Sequence, residues 1–212
     1  MNRRIVLALL VVLAAAGVLA GERKPPPNTV VATATGPTEQ LTLGGGCFWC
    51  LEAVYRELRG VTQVVSGYAG GHLDDPSYKQ VTSGTTGHAE VVDITFDPKQ
   101  ITRDDILRVY FTIHDPTTQD RQGADVGPQY RSVAFYRTAE QKSAIEKAIA
   151  DVAASGEHAD PVVTQVVAIA KFWPAEDYHQ QYYELNGSEP YCSLVIAPKI
   201  AKFRKKYAAL LR

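Results

Sequence analysis

Segments with two different periodicities of apolar and polar residues alternate along the chain. Val92, Ile94 and Phe96 are separated by polar residues, which is the two-residue period of a half-buried β-strand. In other segments apolar residues recur every three or four positions, as in a helix with one face on a core. The two periods predict strands at 41–43, 61–68, 92–96, 133–135 and 162–170, and helices at 51–58, 102–111, 138–152, 178–185 and 198–211. This mixed order indicates one domain of the α+β or α/β sandwich class.

Several of the predicted helices have residues that favour a helix start. Thr102 is a suitable N-cap, and Thr138 with Gln141 forms a capping-box pattern. Pro174 is expected in the first turn of the helix at 178–185, where a missing N–H group is tolerated. These signals support the helix positions independently of the apolar period.

The first twenty residues have a different pattern from the rest. Arg3 and Arg4 precede an unbroken run of apolar and small residues over 5–20. This layout is typical of a secretory signal peptide, and the alternative is an uncleaved membrane anchor. Residues 21–38 contain three consecutive prolines and little apolar periodicity, which predicts a linker. We therefore expect an exported protein, periplasmic or secreted, whose folded domain spans residues 39–212.

The composition is that of a globular protein, because 45% of the 212 residues are hydrophobic and 21% are charged. The formal net charge of −1 gives no indication of binding to nucleic acid. Three cysteines in an exported chain leave at least one thiol unpaired or exchanging between pairs. Composition therefore directs attention to cysteine chemistry.

Cys47 is the strongest candidate for a reactive group. It follows three glycines and opens a helix, and the partial positive charge at a helix N-terminus favours the thiolate. Cys50 completes a C-x-x-C pattern, which fits a redox pair better than a zinc site because a second pair of ligands is missing. Cys192 follows a loop-like segment that could carry its thiol to Cys47. The alternative is a core cysteine flanked by core aromatic residues.

Two further segments carry polar chemistry. Glu90 stands at the edge of the strand at 92–96, where an apolar neighbourhood would raise its pKa and let it act as a general acid. The alternative is an ordinary polar strand end. The segment 123–132 contains two turn glycines, Asp125, Tyr130 and an arginine, which is more polar variety than a simple loop needs.

An ordered series of motifs resembles the type A peptide-methionine sulfoxide reductases. The motifs are GCFW at 46–49, GYAGG at 67–71, GTTGHAE at 84–90, HDPT at 114–117, QYRS at 129–132 and DYHQ at 177–180. The series covers roughly residues 40–208 in the family's order, which is more specific than any single motif. The resemblance implies an α+β fold, a two-layer sandwich with a ferredoxin-like core, a mixed sheet covered by helices, and extended C-terminal loops.

The resemblance also implies a reaction. Cys47 would attack the sulfur of methionine (S)-S-oxide, free or in oxidised proteins, and Glu90 would donate a proton to the sulfoxide oxygen. The sulfenic acid left on Cys47 would form a disulfide with a resolving cysteine, which a thioredoxin-like dithiol would reduce without any cofactor. The remaining implied site residues are Tyr78, Tyr130 and Asp125 on the polar side, Phe48 and Trp49 in an apolar slot for the methyl group, and Cys192 or Cys50 as resolving cysteine. We expect a monomer that repairs oxidised proteins.

Two positions depart from the family pattern. Position 50 is commonly glycine but is Cys50 here, so two cysteines could resolve the sulfenic acid, and the usual C-terminal location favours Cys192. Pro128 stands where threonine is commoner and removes one backbone donor from the polar loop. Two other functions stay open, a thioredoxin-like dithiol oxidoreductase that uses Cys47 and Cys50, and a non-catalytic exported module that binds thioethers.

Overall fold

The computed structural model describes residues 29–33 and 36–212. The predicted signal segment at 1–20 lies outside these residues. None of the helices in the described ranges combines the length and the apolar character that crossing a membrane requires. The end of the predicted linker lies against the domain, because Thr29 is buried and the Val31 N–H donates to the carbonyl of Thr62 at 2.8 Å.

Strands and α-helices alternate through the described domain. The strands are β1 (Glu39–Gly44), β2 (Val61–Ala69), β3 (Ala89–Phe96), β4 (Arg121–Gln122), β5 (Asp125–Val126), β6 (Val133–Tyr136), β7 (Gln165–Ala168) and β8 (Phe172–Pro174). The helices are α1 (Phe48–Arg56), α2 (Tyr78–Thr82), α3 (Arg103–Ile113), α4 (Ala139–Ser155), α5 (Tyr182–Leu185) and α6 (Ala197–Lys206). The sequence missed α2, β8 and the β4–β5 hairpin, and it predicted β7 and α6 too long.

The main sheet has the strand order β7-β6-β1-β3-β2-β8. Its four inner strands belong to two strand–helix–strand units, β1-α1-β2 and β3-α3-β6, whose strands interleave as β6-β1-β3-β2. These four strands pair antiparallel, which is the ferredoxin-like arrangement. At one edge β7 pairs with β6 in parallel, so the sheet is mixed. The predicted α+β class with a ferredoxin-like core is therefore confirmed.

Both faces of β3 are buried. Residues 92, 94 and 96 belong to the larger apolar cluster with α1 and α3, whereas Val91 belongs to a smaller cluster with Val133 and Phe135. The prediction of a half-buried strand was wrong for this reason. The polar position Asp93 is buried as well, and its Oδ1 accepts hydrogen bonds from Thr42 Oγ1 at 2.6 Å and Arg137 Nη2 at 2.7 Å. A buried carboxylate needs such partners.

Branched aliphatic and aromatic side chains make up most of the two clusters. Met1 is the only methionine in the chain, so neither cluster contains a thioether. Buried Leu, Ile, Val and Phe side chains have few rotamers and so specify a single packing arrangement.

The predicted helix starts are partly confirmed. Thr102 caps α3, and its hydroxyl accepts from the backbone N–H of Asp105 at 3.1 Å while the Asp105 carboxylate accepts from the Thr102 N–H at 3.2 Å. Thr138 caps α4 by accepting from the Gln141 N–H at 3.2 Å. The second hydrogen bond of a capping box, from the Thr138 N–H to the Gln141 side chain, is absent from this pair. Gln141 Oε1 instead accepts from the Arg137 N–H at 2.8 Å.

Pro174 does not open a helix, and that prediction was wrong. It ends β8, which pairs antiparallel with β2 at the edge of the sheet, where a residue without an N–H group is tolerated. Gly67 of β2 is required at this point, since a Cβ atom there would collide with the Trp173 carbonyl. The predicted helix at 178–185 is divided by Gln181, whose φ of 55° is left-handed, so that only α5 remains α-helical.

Candidate active site

Cys47 lies at the turn between β1 and α1. Gly46 has a φ of +94°, which favours glycine, and a Cβ atom at this position would lie 2.6 Å from the Gln122 side chain. The turn makes Cys47 the N-cap of α1, with 8% of its surface exposed. The glycines therefore bring the thiol to the helix N-terminus, as the sequence indicates.

Burial raises the pKa of the Cys47 thiol well above its ordinary value, and the neighbouring Cys50 and the carboxyl of Glu90 raise it further. This result corrects the expectation that the helix N-terminus favours the thiolate. The partial charge of a helix end is small and falls off within one turn, whereas the loss of hydration acts on the whole charge of the thiolate. At neutral pH Cys47 is therefore a thiol rather than a thiolate.

Glu90 lies in β3, with 1% of its surface exposed, and faces the start of α1. Its Oε2 accepts a hydrogen bond from the Phe48 N–H at 3.1 Å. Burial raises the pKa of Glu90 to about 8, although the bond from Phe48 opposes the shift. The negative charges of Asp125 and Cys50 raise it further. At neutral pH this carboxyl therefore holds a proton, which a general acid requires.

Tyr78 and Tyr130 are half-buried phenols on the polar side of the site. Burial, followed by the charge of Glu90, raises the pKa of Tyr78 to about 12 and raises that of Tyr130 as well. Both phenols therefore stay protonated and can donate hydrogen bonds. Tyr78 opens α2, and its backbone N–H donates to Glu176 Oε1 at 2.9 Å, which fixes the helix start beside the site.

An aromatic cluster forms the apolar side of the site. Trp49 stacks on Tyr182 with ring centroids 3.6 Å apart and an interplanar angle of 7°. The Trp49 Nε1–H donates to Nδ1 of His179 at 3.2 Å, and burial lowers the pKa of His179 to about 4, so this ring is neutral. Phe48 is fully buried and packs against His179 with ring centroids 5.1 Å apart. No sequence motif indicates the stacking of Tyr182 on Trp49.

The histidine of the GTTGHAE motif, His88, and that of the HDPT motif, His114, both form hydrogen bonds within the fold. His88 accepts from the Gly71 N–H at 3.1 Å, and its other ring nitrogen lies 2.7 Å from the carbonyl oxygen of Leu73. The ring of His114 bridges the carbonyl of Tyr110 at 2.6 Å and the hydroxyl of Ser132 at 2.8 Å. Both rings hold loops in place around the site.

Asp125 lies in β5 at the rim of the site. Its Oδ2 accepts a hydrogen bond from the hydroxyl of Tyr191 at 2.8 Å. Tyr191 directly precedes Cys192, so the polar loop and the C-terminal segment are joined at this point. In the described ranges, no group of three or more His, Cys, Asp and Glu side chains is arranged to hold a metal ion.

All three cysteines are free and buried. Cys192 is fully buried and begins a π-helical turn, Cys192–Ile196, that leads directly into α6. Residues 186–189 before it are turn and loop, as the sequence predicts, whereas Cys192 itself is helical. The thiols of Cys47 and Cys50 are hydrogen-bonded to each other. Cys192 is close enough to Cys50 for the charge of Cys50 to raise its pKa, although burial has the larger effect.

The pKa of Cys50 changes in the opposite direction from that of Cys47. A hydrogen bond from Cys47 and the positive charge of Lys199 lower the pKa of Cys50, against the effect of burial. Nζ of Lys199 lies 4.0 Å from Cys50 Sγ. Cys50 thus interacts with both of the other thiols and is the one most readily deprotonated. No sequence motif marks Lys199, which is one of several basic residues in α6.

Comparisons with known proteins agree with this geometry. A sequence model described as "Peptide methionine sulfoxide reductase" matches residues 39–211. The chain is 51% identical over 173 residues to peptide methionine sulfoxide reductase MsrA of Polynucleobacter asymbioticus, covering 82% of this chain and 91% of the relative. It is 55% identical over 168 residues to MsrA of Leptospira borgpetersenii, covering 79% and 94%.

Solved structures show the same likeness. The reduced form of Mxr1 from Saccharomyces cerevisiae is 32% identical with a TM-score of 0.69, and the match covers 80% of this chain and 92% of that one. Methionine sulfoxide reductase A of Corynebacterium diphtheriae is 33% identical with a TM-score of 0.67, covering 77% and 82%. Sequence and structure thus point to one family over the whole folded domain.

Proposed function

Because the chain belongs to the peptide methionine sulfoxide reductase family and is an MsrA-type oxidoreductase, we propose that Cys47 reduces methionine (S)-sulfoxide and that Cys50 and Cys192 restore it in turn. The observation that carries this proposal is the contact of the Cys47 thiol with Cys50 on one side and its closeness to the protonated Glu90 on the other.

In the first step the Cys47 sulfur attacks the sulfoxide sulfur. Glu90 gives its proton to the sulfoxide oxygen, and Tyr78 and Tyr130 donate hydrogen bonds to the same oxygen. The proton lost by the Cys47 thiol replaces the one that Glu90 gave. The sulfur–oxygen bond of the substrate breaks as the oxygen passes to Cys47. Methionine sulfoxide and a thiol thus become methionine and a sulfenic acid, so the substrate gains two electrons and Cys47 loses two.

The apolar side of the site selects the substrate. Trp49, held by Tyr182 and His179, presents a flat apolar surface beside Cys47. We propose that the methyl group on the sulfoxide sulfur packs against this surface, while the oxygen points to Glu90. These two demands fix the orientation at a chiral sulfur, which is the physical basis for selecting the S epimer.

In the second step Cys50 attacks the Cys47 sulfenic acid, and the products are a Cys47–Cys50 disulfide and water. Cys192 then attacks the sulfur of Cys50, which frees Cys47 as a thiol and leaves a Cys50–Cys192 disulfide. An external thioredoxin-like dithiol reduces that disulfide and becomes oxidised itself. This order differs from the sequence-based preference for Cys192 as first resolving residue, and it follows from the contact between Cys47 and Cys50.

A single-turnover assay without reductant tests the proposal. Methionine is counted per enzyme and disulfides are mapped by mass in wild type and in three single variants, Cys47→Ser, Cys50→Ser and Cys192→Ser. Each return of Cys47 to a free thiol permits one more turnover, so wild type should yield about two methionines and Cys192→Ser, which stops at the Cys47–Cys50 disulfide, about one. Cys47→Ser should yield none. A Cys47→Ser variant that still forms methionine overturns the role of Cys47. A mapped Cys47–Cys192 disulfide with no Cys47–Cys50 species overturns the order.

We also propose that the enzyme is exported and repairs oxidised proteins outside the cytoplasm. The support is the sequence pattern of residues 1–20, and the linker that follows it. Cell fractionation of the full chain, with N-terminal sequencing of the product, distinguishes cleavage near Gly21 from retention as a membrane anchor. Recovery of the intact chain in the cytoplasm would overturn export.

A further inference from the structure

Cys50 has a lysine beside it to which neither the motifs nor the reaction described above gives a role. Lys199 lies in α6, and its Nζ is 4.0 Å from Cys50 Sγ, although the two residues are 149 positions apart in the chain. Lys199 is half-buried at the wall of a 420 Å³ cavity that is also lined by Lys202, His114 and Gln122. The residue thus borders both the cavity and the thiol.

We infer that Lys199 is a catalytic residue of the resolving step, whose ammonium group stabilises the Cys50 thiolate that attacks the Cys47 sulfenic acid. This inference rests on the proposed function. In the balanced step, the thiol of Cys50 loses its proton and the sulfur–sulfur bond forms. The sulfur–oxygen bond of Cys47 breaks, and the hydroxide that leaves takes up a proton to become water. No further oxidant or reductant is needed.

Other groups also face Cys50 and set its acidity. The Cys47 thiol donates a hydrogen bond that favours the Cys50 thiolate, and the nearby Tyr191 hydroxyl, which donates to Asp125, lowers the pKa of Cys50 as well. The charge of Asp125 opposes both effects. Cys192 and Glu90 also interact with Cys50 electrostatically. Once Cys47 has become a sulfenic acid, the thiol proton that it donated to Cys50 is gone from that sulfur. The charge of Lys199 does not depend on this change, so it continues to favour the thiolate when Cys50 must attack.

The position of Lys199 on the same element as Cys192 supports this role. The π-helical turn that begins with Cys192 leads without a break into α6, and Lys199 follows seven residues later. Both side chains interact with Cys50, since Nζ of Lys199 lies 4.0 Å from its sulfur and the charge of Cys50 raises the pKa of Cys192. One element thus supplies the cation that activates Cys50 and the thiol that receives the disulfide from it.

Rapid-quench single turnover across pH 5.5–9.5 tests the inference in full-length enzyme. Methionine formation reports the first step, and the Cys47–Cys50 disulfide, mapped by mass, reports the second. The variants are Lys199→Met, Lys199→Arg and, as the matched control, Lys202→Met, because Lys202 lies on the same helix and cavity but is exposed. Alkylation of Cys50 by iodoacetamide, also mapped by mass, measures the thiolate directly.

We expect Lys199→Met to form methionine at the wild-type rate but to form the disulfide about tenfold more slowly at pH 7, with the pH midpoint of both disulfide formation and Cys50 alkylation raised by about one unit. Lys199→Arg should keep most of the rate, and Lys202→Met should match wild type. Wild-type disulfide kinetics in Lys199→Met, or an equal loss in Lys202→Met, would overturn the inference while leaving the proposed function intact. If wild type itself forms no Cys47–Cys50 disulfide, the proposed order fails and the inference fails with it. A methionine burst of normal size in Lys199→Met shows that the variant is folded.

Discussion

Cys47 and Cys50 stand one helical turn apart at the start of α1, yet their surroundings differ. Cys47 lies beside the buried carboxyl of Glu90, whose pKa is raised to about 8. Cys50 has the ammonium group of Lys199 beside it and accepts a hydrogen bond from Cys47. Burial raises the pKa of Cys47, whereas the pKa of Cys50 is lowered despite similar burial.

The difference shows that the helix N-terminus does not decide the reactivity of either thiol. Both thiols lie in the first turn of α1, where the helix dipole acts on each of them. Burial sets the direction for the pKa of Cys47, and the hydrogen bond accepted from Cys47 sets it for Cys50. Glu90 of β3 and Lys199 of α6 add to these shifts. Cys47 lies where a proton can be delivered to a substrate oxygen, and Cys50 lies where a proton is readily lost.

Among the variants that test this difference, the one that removes the Cys47 sulfur should change the rate of methionine formation most. We expect Cys47→Ser to lower the rate of methionine formation by on the order of 10⁴-fold or more, as for other enzymes that lose their nucleophile. Cys50→Ser should keep a full first turnover. Quenched single-turnover kinetics check both. Equal loss in the two variants would show that the thiols act as one unit rather than as two different sites.

Replacement of Glu90 should have the next largest effect. Glu90→Gln keeps a similar shape but cannot give up a proton, so methionine formation should slow by about 10²- to 10⁴-fold. The wild-type rate should fall above about pH 8, where Glu90 loses its proton. This fall should be missing in the variant. A Glu90→Gln enzyme that retains the wild-type pH profile would show that the proton comes from another group, with Tyr78 the next candidate.

Glu52 allows the effect of burial on a carboxyl pKa to be tested through protein stability, independently of the thiols. It is a buried carboxyl in α1, its Oε1 accepts from the Gln181 N–H at 2.8 Å, and burial raises its pKa to about 7. Because the folded-state pKa lies above the unfolded value of 4.5, its contribution to stability is complete below about pH 4.5. It is lost as the pH rises through 7.

Glu52→Gln should remove this dependence. Between pH 4.5 and 8, wild type should lose on the order of 3 kcal/mol of unfolding free energy relative to the variant. Urea denaturation at several pH values in that range measures the difference. Parallel curves for the two proteins would show that burial does not raise this pKa, and would weaken the same argument for Glu90.

The stacking of Tyr182 on Trp49 should have the smallest effect. Tyr182→Leu removes an aromatic pair worth about 0.5–1.5 kcal/mol, so KM for a methionine sulfoxide peptide should rise about two- to tenfold with little change in the resolving step. Steady-state and single-turnover kinetics separate the two. A change in disulfide formation instead of KM would mean that Tyr182 belongs with the Cys50 side of the comparison.

Most regular elements and most residues of the site could be predicted from the sequence, because periodicity and motifs depend only on residues that are close together in the chain. The apolar period found α1, α3 and α4, and the glycines before Cys47 signalled its turn. Short elements such as α2 and β8 have too few residues to show a period. The local sequence around Pro174 is compatible with either a helix start or an edge strand. The strand order came from family resemblance rather than from the pattern.

The electrostatics of the site could not be predicted in the same way. The contact between Lys199 and Cys50 joins residues 149 positions apart, so no local motif contains it. The raised pKa of Cys47 depends on how completely later segments cover the turn. The stacking of Tyr182 on Trp49 depends on the left-handed Gln181, which brings α5 back toward α1. Such features require the assembled fold.

The methionine-free core has a consequence for the durability of the enzyme. Oxidation turns a flexible apolar thioether into a polar sulfoxide and loosens the packing around it. A domain built without methionine cannot be softened in this way, and it cannot become a target for other copies of itself. The domain therefore contains only three sulfur atoms that hypochlorite or peroxide could oxidise, and all three are thiols of the proposed catalytic cycle. Oxidants should therefore abolish the activity of the enzyme before they unfold the domain, and a reducing partner can reverse the early stages of cysteine oxidation.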